Sequence, residues 1–128
     1  MKYIFSFALL FIVFFVNVSN AFSGDNAIYI NDVNIAQKHA QENDKELMLI
    51  FTADWCKYCK PLHDAIEANK ELVNQKYVVC YVNYDNHKNL VSKYRVGAIP
   101  ATIIIKKDVF IKITGYSNFD NYRQNIGL

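Results

Sequence analysis

Leu47-Met48-Leu49-Ile50-Phe51-Thr52-Ala53-Asp54-Trp55-Cys56-Lys57-Tyr58-Cys59-Lys60 carries an apolar run into a Cys-x-x-Cys pair that opens a helical pattern. The run from Leu47 to Thr52 shows almost no alternation, as expected of a central strand covered by helices on both faces. Two thiols three positions apart at the first turn of a helix can close a small disulfide ring. The first sits where unpaired backbone N–H groups and the positive dipole end favour a thiolate, so Cys56 is the expected nucleophile. Cys59 lies one turn further in and is expected to be less exposed, to hold its proton longer and to resolve a mixed disulfide. The pair reads as a redox couple.

Working outward, 128 residues with 52% apolar and 20% charged content make one globular domain with a real core. Fourteen Lys and Arg against 12 Asp and Glu give no support for a nucleic-acid or polybasic membrane partner. Four glycines and two prolines argue against low complexity, and there is no internal repeat. At the N-terminus, Lys2 precedes a 13-residue apolar run, Ile4 to Val16, broken only by Ser6. Ser19 and Ala21 then supply the small residues of a cleavage site. We therefore expect a signal peptide over residues 1–21 and a domain over 22–128. The alternative is an uncleaved membrane anchor, but the run is shorter than the ~20 residues that span a bilayer. The domain is then periplasmic or secreted and free of the membrane after cleavage. Disulfides persist there, and a thiol pair depends on a redox partner.

The remaining pattern predicts a strand at Ala27 to Ile30 and a helix capped by Asn31 or Asp32 through about Gln41. Val33, Ala36, Ala40 and Ile35 are its candidate apolar stripe. After the cysteines, Leu62, Ala65, Ile66 and Ala68 continue a helix to about Asn69, with Pro61 expected to kink it mildly. Tyr77 to Tyr84 is a strand, and Lys88 to Tyr94 a short helix. A loop from Val96 leads into a strand at Thr102 to Ile105, with Phe110 to Thr114 as its hairpin partner. Gly115 ends that strand, and Ser117 with Asp120 is the expected cap of a last helix to about Ile126. The order β-α-β-α-β-α-β-β-α predicts parallel crossovers followed by an antiparallel hairpin.

With these residues in place, the chain resembles the thioredoxin superfamily over nearly all of residues 22–128. Trp-Cys-x-x-Cys-Lys after an apolar strand is similar to that family's active site, and Ile99-Pro100, with the proline 44 residues after Cys56, to its cis-proline loop. Gly115 resembles the glycine after its last strand. The leading helix and the Lys57-Tyr58 dipeptide resemble extracytoplasmic members. The resemblance implies an α/β fold with a central mixed β-sheet flanked by helices on both faces. It also implies a monomeric thiol–disulfide oxidoreductase, acting without a cofactor on protein substrates that carry disulfides, with a redox partner of its own. Cys56 and Cys59 would be catalytic, Trp55, Ile99 and Pro100 would meet the substrate, and Lys57 and Tyr58 would support them. Trp55 is either a core plug or a lid beside the disulfide, and the resemblance favours the lid. The backbone of Ile99 would pair with an extended substrate segment.

The chain departs from the family at two places. Where thioredoxins carry a buried acidic residue on the central strand there is Ile50, and the lysine that accompanies it corresponds to Tyr81. The usual internal proton acceptor for Cys59 is therefore missing, leaving water, Asp54 or a substrate group to serve. Lys57 and Lys60 would lower the Cys56 thiolate pKa and Asp54 would raise it. Cys80 reads as a small buried hydrophobe within its strand. His63 shares a helix face with the two cysteines and reads as an exposed histidine. The competing function is a metal-binding or haem-maturation chaperone using Cys56, Cys59 and His63 as soft ligands. Trp55 and Pro100 serve redox exchange and have no part in metal capture. Ile99 gives a thiolate no hydrogen bond, and Lys57-Tyr58 lacks a charged histidine, so the pair is expected to reduce rather than strongly oxidise.

Overall fold

In the computed structural model, which describes residues 27–128, the unbroken apolar run forms β2 (Glu46–Thr52). The expected signal peptide lies outside the described residues. Leu47, Leu49 and Phe51 project to one side of β2 and Met48 and Ile50 to the other, and all five are buried. Chain order is β1 (Ile28–Ile30), α1 (Val33–Glu42), β2, α2 (Cys59–Ala68), α3 (Lys70–Asn74), β3 (Tyr77–Asn83), α4 (Lys88–Lys93), β4 (Ala101–Lys106), β5 (Val109–Thr114) and α5 (Phe119–Asn125). The sheet order is β1-β3-β2-β4-β5. β3 runs parallel to β1 and β2, whereas β4 pairs antiparallel with both β2 and β5.

Period-2 alternation divides the core into two layers. On one face Leu49, Phe51, Cys80, Val82 and Ile103 pack under Ala36 and Ala40 of α1 and Tyr94 beyond α4. On the other, Met48, Ile50, Val79 and Tyr81 meet Leu62 and Ile66 of α2, Val73 of α3 and Tyr122 of α5. A doubly covered strand gains about 1.5–3 kcal/mol from each fully buried Leu, Ile or Phe, whichever way the side chain points. This is why its sequence shows no polar alternation.

The structure corrects several expectations. β4 does not follow a parallel crossover: Ala101 pairs with Phe51 and Ile105 with Leu47, so the strand runs back against β2. The six-residue α4 spans only about 9 Å at 1.5 Å per residue, and the loop after it brings the chain back to the end of the sheet where β3 stops, so β4 starts there. Helix α2 begins at Cys59 rather than at Cys56. Pro61 therefore falls in the first turn, where a missing N–H interrupts no helical hydrogen bond and gives no cause for a kink. An extra helix, α3, follows a break at Asn69, whose side-chain amide donates to the Ala65 carbonyl at 2.8 Å. The cap of α5 is Asn118, one residue beyond the expected Ser117, with its Oδ1 accepting from the Asn121 N–H at 2.9 Å. Asp32 caps α1, while Asn31 accepts from the Asn83 N–H at 2.7 Å and ties β1 to β3. Ile35 is exposed and lies outside the apolar stripe of α1.

Candidate active site

Strand β2 delivers the two cysteines to the edge of the sheet. Cys56 lies in the turn before α2, its N–H donating to the Ala53 carbonyl at 3.0 Å, and Cys59 is the first residue of the helix. The two are joined as a disulfide with Cα atoms 5.4 Å apart. Cys56 keeps 9% of its surface and Cys59 4%, so the expected order of access holds, although the first sulfur is far from freely exposed. The start of α2 has no side-chain cap and no acidic residue in its first turn. The Cys59 N–H donates to the Cys56 carbonyl at 3.2 Å, so the positive dipole end of α2 lies directly beside Cys56.

Two other segments close around the pair. Ile99 from the loop before β4 and Tyr84 from the end of β3 pack against the cluster of Ala53, Cys56 and Cys59. The Ile99–Pro100 peptide is cis and Pro100 is buried. The Pro100 carbonyl accepts from the Gly115 N–H at 2.8 Å, fixing this loop to the end of β5. Gly115 has φ +83°, a conformation in which a side chain is strained. Trp55 is 64% exposed and so is not a core plug. Its indole N–H donates to Asp85 Oδ2 at 2.8 Å, and its ring meets Tyr84 edge-on at 6.4 Å. Tyr58 is exposed with the Lys57 ammonium 5.8 Å from its ring centre, and Lys88 stands 4.3 Å above Tyr84.

On the α2 side of the sheet Ile50 and Tyr81 are cross-strand partners, and both are buried. Among the described residues the Tyr81 hydroxyl has no hydrogen-bond partner, and burial pushes its pKa upward. His63 is exposed on the helix surface, as expected, and its ring lies beside that of Tyr81, tilted 38° with centres 4.8 Å apart. Lys60 donates to Asp64 at 2.6 Å and holds that carboxyl below its ordinary range. Cys80 is fully buried, and desolvation raises its thiol to about 11, which fits an inert packing role. Among the described residues no three His, Cys, Asp or Glu side chains converge to hold a metal ion.

The model of the family described as thioredoxin-like domain matches residues 33–127. The chain belongs to the thioredoxin superfamily. It is 29% identical over 77 residues to the thioredoxin of Buchnera aphidicola, covering 60% of this chain and 71% of that one. It is 28% identical over 105 residues to the thiol:disulfide interchange protein DsbD of Campylobacter jejuni, covering 77% of this chain but only 18% of that protein. The crystal structure of the Deadhead thioredoxin of Drosophila melanogaster superposes with a TM-score of 0.65 at 20% identity, covering 78% of this chain and 97% of that one. That last likeness speaks for the fold alone.

This thioredoxin-like chain is thus a thiol–disulfide oxidoreductase whose redox couple is Cys56 and Cys59. Trp55, Ile99, Pro100, Lys57 and Tyr58, singled out from the sequence, all surround that couple or its loop. Tyr84 and Asp85 were missed. They follow β3 as an unremarkable turn in the sequence, and only the parallel pairing of β3 with β2 brings them beside the disulfide.

Proposed function

We propose that the chain exchanges disulfides with protein substrates outside the cytoplasm and runs in the reducing direction. The observation that carries this reading is the unequal seating of the two sulfurs. Cys56 is the more accessible, lies ahead of an uncapped helix end and faces the Ile99 loop, whereas Cys59 is held in the helix behind it. In the reduced state, the Cys56 thiolate attacks one sulfur of a substrate disulfide and expels the other as a thiolate. Cys59 then attacks Cys56, closing the protein's disulfide and releasing the second substrate sulfur. A separate redox partner must return two electrons to the pair.

Trp55, Ile99 and Pro100 form the rim on which an extended substrate segment rests, with Lys57 and Tyr58 beside it. The reducing direction follows from what surrounds Cys56. Ile99 offers no hydrogen bond to a thiolate, and the intervening Lys57-Tyr58 supplies no imidazolium, so the reduced form gains little extra stability. Work outside the cytoplasm rests on the leader-like run of residues 1–21 and on the likeness to a thiol:disulfide interchange protein.

The test is substitution combined with redox equilibration. Cys56→Ser should abolish disulfide reduction, and Cys59→Ser should accumulate a mixed disulfide through Cys56. Against glutathione buffers the pair should equilibrate between about −270 and −200 mV, the span from thioredoxins to glutaredoxins. A value near −120 mV, typical of a strong oxidant, or trapping through Cys59 instead, would overturn the reading.

A further inference from the structure

Cys59 cannot act until it loses a proton. It is buried among Ala53, Cys56, Tyr84 and Ile99, and a thiol so enclosed resists ionisation. Its open side is the cleft between the β2–α2 loop and the first turns of α2. This cleft, of about 400 Å³, is lined among others by Asp54, Cys56, Cys59, Lys60, His63 and Asp64.

Three of its four ionisable groups other than the thiols are poor acceptors. Lys60 and Asp64 are engaged with each other at 2.6 Å, and that contact lowers the basicity of Asp64 further. Asp54 is an exposed carboxylate, and carboxylates are about four to five units more acidic than a thiol. That leaves His63. It follows Cys59 by one helical turn on the same face and opens into the same cleft. Its ring is laid against Tyr81, tilted 38° and 4.8 Å away, and its Nδ1 stands 3.8 Å from Asp64 Oδ1. Imidazole is also the side chain whose charge changes near neutral pH, the range that suits a general base.

We propose that His63 takes the proton of Cys59 in the resolution step, through water in the cleft, and that Tyr81 is the positioning residue that holds its ring. The Cys59 S–H proton passes to the imidazole as the Cys59–Cys56 bond forms. The Cys56–substrate bond breaks, and the departing substrate thiolate recovers a proton from solvent or from His63. The assignment rests on the exchange reading above. The titratable groups beside the imidazole are Tyr81 from β3, Asp54 and Cys56 from the loop, and Cys59, Lys60 and Asp64 on α2.

The aromatic disulfide dithiobis(nitrobenzoate) separates the steps, because attack by Cys56 and resolution by Cys59 each release one coloured thiolate. In the wild type the second release should accelerate as pH rises. His63→Gln should slow that phase about a hundredfold or more at pH 7. It should change this pH profile while leaving the first release unchanged, and added free imidazole should restore the rate in His63→Ala. An unaltered second phase, a slowed phase with the same pH profile, or transfer of the effect to Asp54→Asn would overturn the assignment. Absence of the first release would instead overturn the exchange reading on which it rests.

Discussion

Tyr81 and Tyr122 carry the same hydroxyl into the same side of the sheet with opposite consequences for stability. Tyr122 shares a 2.7 Å hydrogen bond with Thr102 of β4, and its oxygen lies 3.8 Å from the Met48 sulfur. Tyr81 buries its hydroxyl with no partner among the described residues. An unsatisfied buried polar group costs about 1–3 kcal/mol, so Tyr81→Phe, which keeps the ring, should stabilise the domain by about 1 kcal/mol. Tyr122→Phe loses a bond worth about 1 kcal/mol and also strands the buried Thr102 hydroxyl, so it should cost about 2–3 kcal/mol.

Because each kcal/mol moves the midpoint of a domain this size by about 4–8 °C, the two variants should melt roughly 10 °C or more apart, with the wild type between them. Circular dichroism melts at fixed pH measure the difference. Urea titrations with an unchanged m-value would show that the unfolded state is not responsible. If Tyr81→Phe loses as much stability as Tyr122→Phe, the Tyr81 hydroxyl is satisfied, and the reasoning from its burial is wrong.

Two further outcomes follow from the same contacts. Burial raises the Cys80 thiol to about 11 and pushes Tyr81 and Tyr122 upward as well. The unfolded chain therefore releases these protons first, the native state binds more protons above about pH 9, and stability must fall as pH rises, by up to about 1.4 kcal/mol per unit for each group. Urea midpoints should hold level to about pH 8.5 and then decline, and a level profile to pH 11 would contradict the burial. Asp85→Ala should release the Trp55 indole from its 2.8 Å bond. The emission of this sole tryptophan should change, and KM for a protein disulfide should rise about threefold, as expected for an exposed bond worth ~0.5–1 kcal/mol. Unaltered emission would mean that Asp85 does not hold the ring.

Legibility in the sequence follows the range of the interactions involved. The doubly covered strand showed itself because Leu47 to Phe51 are all buried, and the redox pair because its two thiols are neighbours in the chain. The end of α2 at about Asn69 was legible, but the short α3 after it was not, since five residues, Lys70–Asn74, are too few to show a helical period of their own. The α5 cap was misplaced by one position because Ser117 and Asn118 are both good caps, and backbone geometry chooses between them. His63 on Tyr81 and Trp55 on Asp85 join residues 18 and 30 positions apart. No local periodicity encodes such pairs.

The direction of β4, which pattern reading assigned wrongly, is what assembles the site. Parallel strands β2 and β3 end at the same edge of the sheet, and there they deliver Cys56 and Tyr84. Had β4 been parallel too, its first residue would lie at the opposite edge, about a strand's length of 20 Å away. The Ile99–Pro100 loop could then never reach the disulfide. Running antiparallel, β4 begins where β2 ends, with Ala101 beside Phe51, so the residues just before it fall against Ala53, Cys56 and Cys59. β5 returns the chain to the same edge, where Gly115 hydrogen-bonds to Pro100. The antiparallel course of β4 is therefore what brings the Ile99–Pro100 loop against the disulfide.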